Sequence, residues 1–212
     1  MELTPVILEG RHVRLVPLAP EHVPALWEAA NDPDIWQWTL NHPRCEDDIR
    51  RYVEAALAKR AAGGGLPFAT LEAGSGRVIG STRYHNWEPP HPRVEIGYTW
   101  ISRPWQRTPV NTEAKYLMLR HAFEVWKCVR VELKTNALNQ VSRRAIGRIG
   151  GREEGTLRRH MINDDGSFRD TVYFSIIEPE WPQVSTISKR RWGASEGTCA
   201  CHGCLKCSRK NY

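Results

Sequence analysis

Trp105-Gln-Arg-Thr-Pro-Val-Asn-Thr-Glu-Ala-Lys-Tyr-Leu-Met-Leu-Arg-His-Ala-Phe-Glu-Val-Trp126 is the stretch whose reading decides the fold. Pro104 and Pro109 bracket a loop, and from Thr112 onward Leu117, Leu119, Ala122, Phe123 and Trp126 recur at helical spacing. A loop therefore runs straight into an amphipathic helix. The first turn of any helix leaves backbone N–H groups unpaired and carries partial positive charge. Val110-Asn111-Thr112, with the Arg107 cation nearby, is thus a candidate phosphate cradle. Taken alone, the stretch favours a plain helix cap at Asn111 or Thr112, since both are ordinary capping residues.

The flanking order favours the cradle. Val94-Glu-Ile-Gly-Tyr-Thr-Trp-Ile101 reads as a strand leading into the loop, and Val129-Arg-Val-Glu-Leu-Lys-Thr135 as a strand after the helix. Strand, loop, helix and strand make a crossover unit, in which ligands bind beyond the carboxyl end of the first strand. Further out, residues 9–18 alternate as a strand. Helices are expected from Pro20 to about Asn31 and from Glu46 to Ala62, the second stopped by Gly63-Gly-Gly65. Residues 66–72 and 77–87 read as a hairpin. A short helix is expected over 140–149, and a last hairpin turns at Asn163-Asp-Asp-Gly166. Gly97 inside its strand marks a bulge or a close backbone approach. Trp36-Gln-Trp38 is open to two readings, the wall of a substrate slot or core packing beneath a loop.

The chain resembles the GNAT superfamily of acyl-CoA-dependent N-acetyltransferases, most closely the branch that acetylates ribosomal-protein N-termini. That family's pyrophosphate motif, Gln or Arg, any two, Gly, any, Gly or Ala, then Thr-Glu-Ala, falls here on Gln106, Pro109, Asn111 and Thr112-Glu113-Ala114. The Gln and the Thr-Glu-Ala match, whereas both small residues are replaced. Pro109 has no N–H to give, so the expected cradle has one donor fewer. Glu95-Ile-Gly-Tyr98, Asn136-Ala-Leu-Asn139-Gln-Val-Ser142 and Gly166-Ser-Phe-Arg-Asp170 extend the resemblance over roughly residues 8–184. It implies an α/β fold with a mixed, twisted, partly split sheet of about six to seven strands and about four helices. It also implies direct acetyl transfer from acetyl-CoA to a primary amine, with no metal required and no covalent enzyme intermediate.

The same resemblance assigns roles. Glu95 is the expected base, with burial against Tyr98 and Trp100 raising its pKa; a structural carboxylate paired across the sheet is the alternative. Backbone N–H groups of residues 98–101, including Trp100 and Ile101, would face the thioester. Gln106, Arg107, Thr108, Val110, Asn111 and Thr112 would hold the diphosphate. Asn139 and Ser142 would contact the pantetheine arm and protonate the thiolate, although Asn139 also suits a helix cap. Arg143, Arg144 and Arg148 are candidates for the adenosine phosphates, and His85, His91 and His160 for the acceptor side.

The resemblance implies a protein or peptide N-terminus as the acceptor; an α-amine with pKa about 8 is also far easier to neutralise than a lysine near 10.4, so a weak base would suffice. A small amine such as an antibiotic or polyamine, or a catalytically silent CoA-binding module, is the alternative. No apolar run long enough to span a membrane and no secretory leader are visible, so a cytoplasmic protein with no membrane partner is expected. A homodimer is compatible with the sequence. The net charge of +6 does not point to nucleic acid across the body: Lys189, Arg190, Arg191, Lys206, Arg209 and Lys210 face only Glu196 after residue 184. The expected organisation is an acyltransferase domain over 1–184 and a flexible basic tail over 185–212, the one part with a route to RNA. The tail carries Cys199, Cys201, Cys204 and Cys207 beside His202, spaced too tightly for paired zinc knuckles, so a zinc site and an unstructured extension both stay open. Cys45 and Cys128, isolated in the body, read as structural.

Overall fold

In this computed structural model, residues 4–191 are described. The chain opens with β1 (Leu8–Glu9) and β2 (Val13–Pro17), then α1 (Val23–Ala30) and α2 (Glu46–Ala61). β3 (Gly65–Glu72), β4 (Val78–Glu88) and β5 (Arg93–Ile101) follow as a meander. α3 (Pro109–Arg120) runs into a wider turn over His121–Val125 and crosses to β6 (Arg130–Asn136). α4 (Gln140–Arg148), β7 (Arg152–Ile162), β8 (Phe168–Ile177) and α5 (Trp181–Arg191) complete it. The α/β class and mixed sheet are as expected, with eight strands and five α-helices among the described residues. Two of the extra elements are the two-residue β1, too short to show a period, and α5.

The strand order is β1-β2-β3-β4-β5-β6-β8-β7, antiparallel throughout except where β5 meets β6. That parallel pair is made by the α3 crossover, as the strand, helix, strand reading requires. It is short: Arg93, Val94 and Glu95 stand opposite Arg130, Val131 and Glu132, and beyond Glu95 the strands part. Each then stays with its outer neighbour, β5 with β4 as far as Ile101 opposite Gly80, and β6 with β8 as far as Asn136 opposite Thr171. A bulge accompanies the split. Tyr98 and Thr99 together oppose Thr82, and Tyr98 takes a φ of 51°, a conformation costly for a bulky residue.

Side chains alternate across the sheet, so each face has its own core. Tyr84, Val94, Ile96 and Leu133 pack with Leu117, Met118 and Leu119 of α3. On the other face Trp100 packs with Leu26 of α1 and Ile49 and Val53 of α2. Trp36 joins this second core, its ring centroid 5.0 Å from that of Trp100 and its indole N–H donating to the Ala30 carbonyl. Trp36 is therefore core, and the slot-wall reading of that residue is set aside.

Two boundaries differ from the sequence reading. α3 begins at Pro109 rather than Thr112, and its cap is Thr108, whose hydroxyl accepts from Val110 N, not Asn111 or Thr112. Proline at the first helical position has the right φ and lacks an N–H that would have had no partner there anyway. α5 runs through residue 184 without a break, its Val184 and Trp181 buried against the α3 side of the sheet, so residues 185–191 continue a helix of the domain. The tail from 192, cysteines included, lies outside the described residues.

What fixes α3 on the sheet is Glu113. Its buried carboxylate accepts from the backbone N–H groups of Arg11, His12 and Val13 at 2.7, 2.6 and 3.1 Å, tying the helix start to the β1–β2 turn. Gly10 belongs to the same clamp, because a Cβ there would lie 2.5 Å from the Glu113 carboxyl carbon. Removing the carboxylate strands three amide donors. Glu113→Ala is expected to cost about 3 kcal/mol of stability, lowering the melting temperature by roughly 6–12 °C in a thermal denaturation scan; an unchanged melting temperature would refute the clamp.

Candidate active site

Where β5 and β6 part, a cleft opens on the α3 side of the sheet. Its walls are Ile96, Gly97, Tyr98 and Thr99 of β5, Leu133 and Lys134 of β6, Asn111, Thr112 and Lys115 of α3, and Ser142, Ile146 and Arg148 of α4. The split is thus lined by the first turn of α3, at Asn111 and Thr112, and by one side of α4 from Ser142 to Arg148; a helix first turn is where backbone N–H groups lack intrahelical partners. Asn111 adds a buried side-chain oxygen without a hydrogen-bond partner. Buried polar atoms are normally paired, so this one marks a place where a ligand group or water belongs.

Of the residues expected at a cofactor, Asn111, Thr112 and Ser142 come together in the cleft. Asn139 stands behind Ser142 and caps α4, its side-chain oxygen accepting from Ser142 N at 2.9 Å. Thr108 caps α3 and donates to the Trp105 carbonyl, so it shapes the turn. Gln106 pins the same turn by donating to the Ile101 carbonyl at 3.0 Å. Arg107 is exposed, with a φ of 61°. Val110, Trp100 and Ile101 lie elsewhere, their side chains in the two cores. Among the candidate arginines, Arg148 lines the cleft, whereas Arg143 pairs with Glu153 at 2.9 Å.

Glu95 is the last β5 residue paired to β6, and it is 1 % exposed. One oxygen takes Asn86 Nδ2 at 3.0 Å and Lys134 Nζ at 3.1 Å. The other lies 3.1 Å from His85 Nε2, though without the alignment of a hydrogen bond. Burial alone would push this carboxyl up, but His85 and Lys134 outweigh it and hold the pKa below the ordinary carboxylate range. The expected upward shift is therefore corrected: the neighbours of the carboxylate are His85, Lys134 and Asn86 rather than Tyr98 and Trp100. Glu95 also borders a second hollow, lined by Asn86, Trp87, Glu88, Arg93, Glu132 and Tyr173. It stands between the two, with Lys134 on the cleft side. His85 is thus at the site. His160 instead packs edge-on to Tyr173, and His91 lies exposed in the loop before β5.

Lys115 was missed. It is 7 % exposed and makes no ion pair among the described residues; Nζ reaches the Thr99 and Thr82 hydroxyls at 2.5 and 3.4 Å. Burial drives its pKa down to about 7. The signal was present in the sequence, since Lys115 falls three and four residues before Met118 and Leu119 and so on the apolar face of α3. Cys128 is buried and free, with burial pushing its thiol up to about 12, which makes it inert. Among the described residues no group of His, Cys, Asp and Glu is placed to hold a metal, and no helix is long and apolar enough to cross a membrane.

Comparison with known proteins agrees with this geometry. The acetyltransferase (GNAT) domain family matches residues 12–152. A Bacillus subtilis protein named "Putative ribosomal N-acetyltransferase YdaF" is 32% identical over 149 residues, 69% of this chain and 78% of its own length. The crystal structure of a GCN5-related N-acetyltransferase from Brucella melitensis superposes with a TM-score of 0.83 at 30% identity, covering 90% of this chain and 86% of that one.

The buried lysine has a thermodynamic consequence. Its folded pKa is depressed from 10.5 to about 7, so between these values the unfolded chain holds a proton that the folded chain has released. This group therefore weakens the fold increasingly as pH falls through that window, and by a constant amount below it. Lys115→Met is expected to raise the melting temperature by several degrees at pH 7, with the gain shrinking as pH approaches 10.5. A gain independent of pH, or a loss at neutral pH, would contradict the assignment.

Proposed function

The chain belongs to the GNAT family of N-acetyltransferases, and on that premise we propose that it carries an acetyl group from acetyl-CoA to a primary amine, the α-amine of a protein or peptide N-terminus. One observation carries the reading: the strands part directly beyond Glu95, opening a cleft between an α3 first turn and α4 that ends beside a buried carboxylate. When bound, acetyl-CoA supplies an activated acyl group on a good leaving group. The residues fit it in kind, through helix N-terminal donors and Arg148 for the diphosphate and an apolar wall of Ile96 and Leu133 for the pantetheine arm.

Within that frame, the N–H groups after Pro109, with Asn111 and Thr112, bind the diphosphate, Gln106 and Thr108 hold their turn, and Arg107 adds positive charge. Asn139 orients α4 so that the Ser142 hydroxyl faces the cleft. The Tyr98–Thr99 bulge frees backbone N–H groups to stabilise developing negative charge. Glu95, held ionised, accepts the proton of the amine entering from the hollow of Trp87 and Tyr173. A weak base suffices for an α-amine, which is partly neutral at pH 7. The name of the Bacillus relative supports an N-terminal acceptor. The competing reading, a small amine such as a polyamine, draws on the carboxylates Glu88 and Glu132 in the same hollow, but both are engaged by Arg93.

Calorimetry with acetyl-CoA tests the cofactor, and thiol release with a peptide panel set against polyamines tests the acceptor. The expected result is binding, turnover with peptides, and a fall in kcat of about 10²-fold in Glu95→Gln with acetyl-CoA binding preserved. Tight binding with no turnover for any amine would favour a silent CoA-binding module instead.

A further inference from the structure

The proposed transfer needs one proton delivered at the sulfur. As the amine lone pair forms the new C–N bond, the C–S electron pair departs with sulfur, and the resulting thiolate has to be protonated. A serine hydroxyl such as that of Ser142 can pass a proton on, but holds none in reserve at neutral pH. Glu95 takes up the proton of the amine on the side of the second hollow and is not among the residues that line the cleft where the sulfur would lie.

The other charged and titratable groups around the cleft are accounted for. Lys134 of β6 is committed to Glu95 at 3.1 Å. Arg148 of α4 does not release protons in this range. Tyr98 of β5 turns its ring to the opposite face, where the Arg83 guanidinium lies 4.0 Å from its centroid and His85 meets it edge-on. From β4 the neighbour is a hydroxyl, Thr82. On α3 itself Glu113 is spent on three backbone amides. Lys115 is what remains. It lines the cleft, its side chain ends on Thr99 at the bulge, and no carboxylate holds its proton.

Resting on the reading that a CoA thioester fills the cleft, we propose that Lys115 is a catalytic residue, the proton donor to the departing thiolate. Its ammonium form gives one proton to sulfur, producing the free thiol, and the neutral amine is then reprotonated from water. No oxidant or further reactant is involved. A pKa near 7 suits this task, because the donor is charged for part of the time at neutral pH and a thiol, with its higher pKa, takes the proton readily. The Thr99 and Thr82 hydroxyls, 2.7 Å from each other, fix the position of the amine.

The test follows the thiol of bound CoA by the ultraviolet absorbance of its thiolate as pH is raised, so it reads out something other than turnover. In the wild type part of the thiolate should already appear near pH 7, as an ammonium–thiolate pair, ahead of the main step, whereas Lys115→Met should show a single step at the higher pH. Lys115→Arg stays charged throughout and cannot donate, so its whole thiol step should fall about one pH unit below that of Lys115→Met while kcat falls about 10²-fold. Calorimetric CoA binding by both variants serves as the folding control, and Met in an apolar face is compatible with the core. Equal thiol titration in wild type and Lys115→Met, or full turnover by Lys115→Arg, overturns the role of Lys115 alone. Failure of the wild type to bind CoA overturns the cofactor reading and this role with it.

Discussion

The arrangement depends on how little β5 and β6 hold each other. Three residue pairs join them, and each strand is otherwise bound along its length to a different neighbour. A sheet zipped across this seam would bury the first turn of α3 against backbone. Parted, it leaves a wedge whose floor is set by the last pair, Glu95 with Glu132, and whose walls include the start of α3 and one side of α4. The bulge at Tyr98 and Thr99 lies on the freed part of β5, in its ladder with β4, where the extra residue bends the strand.

Charge in this wedge is distributed by burial rather than by residue type. A buried carboxylate would ordinarily be neutralised, yet Glu95 stays ionised because Lys134, His85 and Asn86 surround it. A buried lysine would ordinarily find a carboxylate, yet Lys115 has only hydroxyls and so sheds its charge near neutrality. Two buried titratable groups near one cleft are thereby shifted, a carboxyl below its ordinary range and an amine down to about 7. This pattern is characteristic of functional sites. It coexists with a third buried charge, Glu113, whose three amide partners make it structural.

Much of the architecture was legible in the sequence because periodicity reports it directly. The strand over 94–101, the helix after Pro109 and the strand over 129–135 kept their order and nearly their bounds. The Asp-Gly hairpin and the glycine stop after α2 did the same. The split itself was not legible in periodicity, since nothing in a strand's alternation says that its neighbour leaves after three residues; it entered only through family resemblance. The pKa direction of Glu95 was misread for a related reason. His85 sits ten residues away and Lys134 thirty-nine, and only the strand register brings them to that carboxylate. Asn111 and Thr112 were candidates for the helix cap, but proline geometry moved the start back to Thr108. Lys115 was visible as a charge on an apolar stripe. Its meaning appeared once the stripe was seen to border a cleft rather than a closed core.

The central claim is that this cleft receives the thioester arm of CoA, and a crystal structure of the CoA complex tests it most directly. The account predicts the diphosphate on the backbone N–H groups of residues 110–112, the pantetheine arm between Ile96–Thr99 and Leu133, and the sulfur beside Thr99 and Lys115. A diphosphate bound elsewhere on the surface, or a first turn of α3 closed by the Asn111 side chain with CoA in excess, would contradict it.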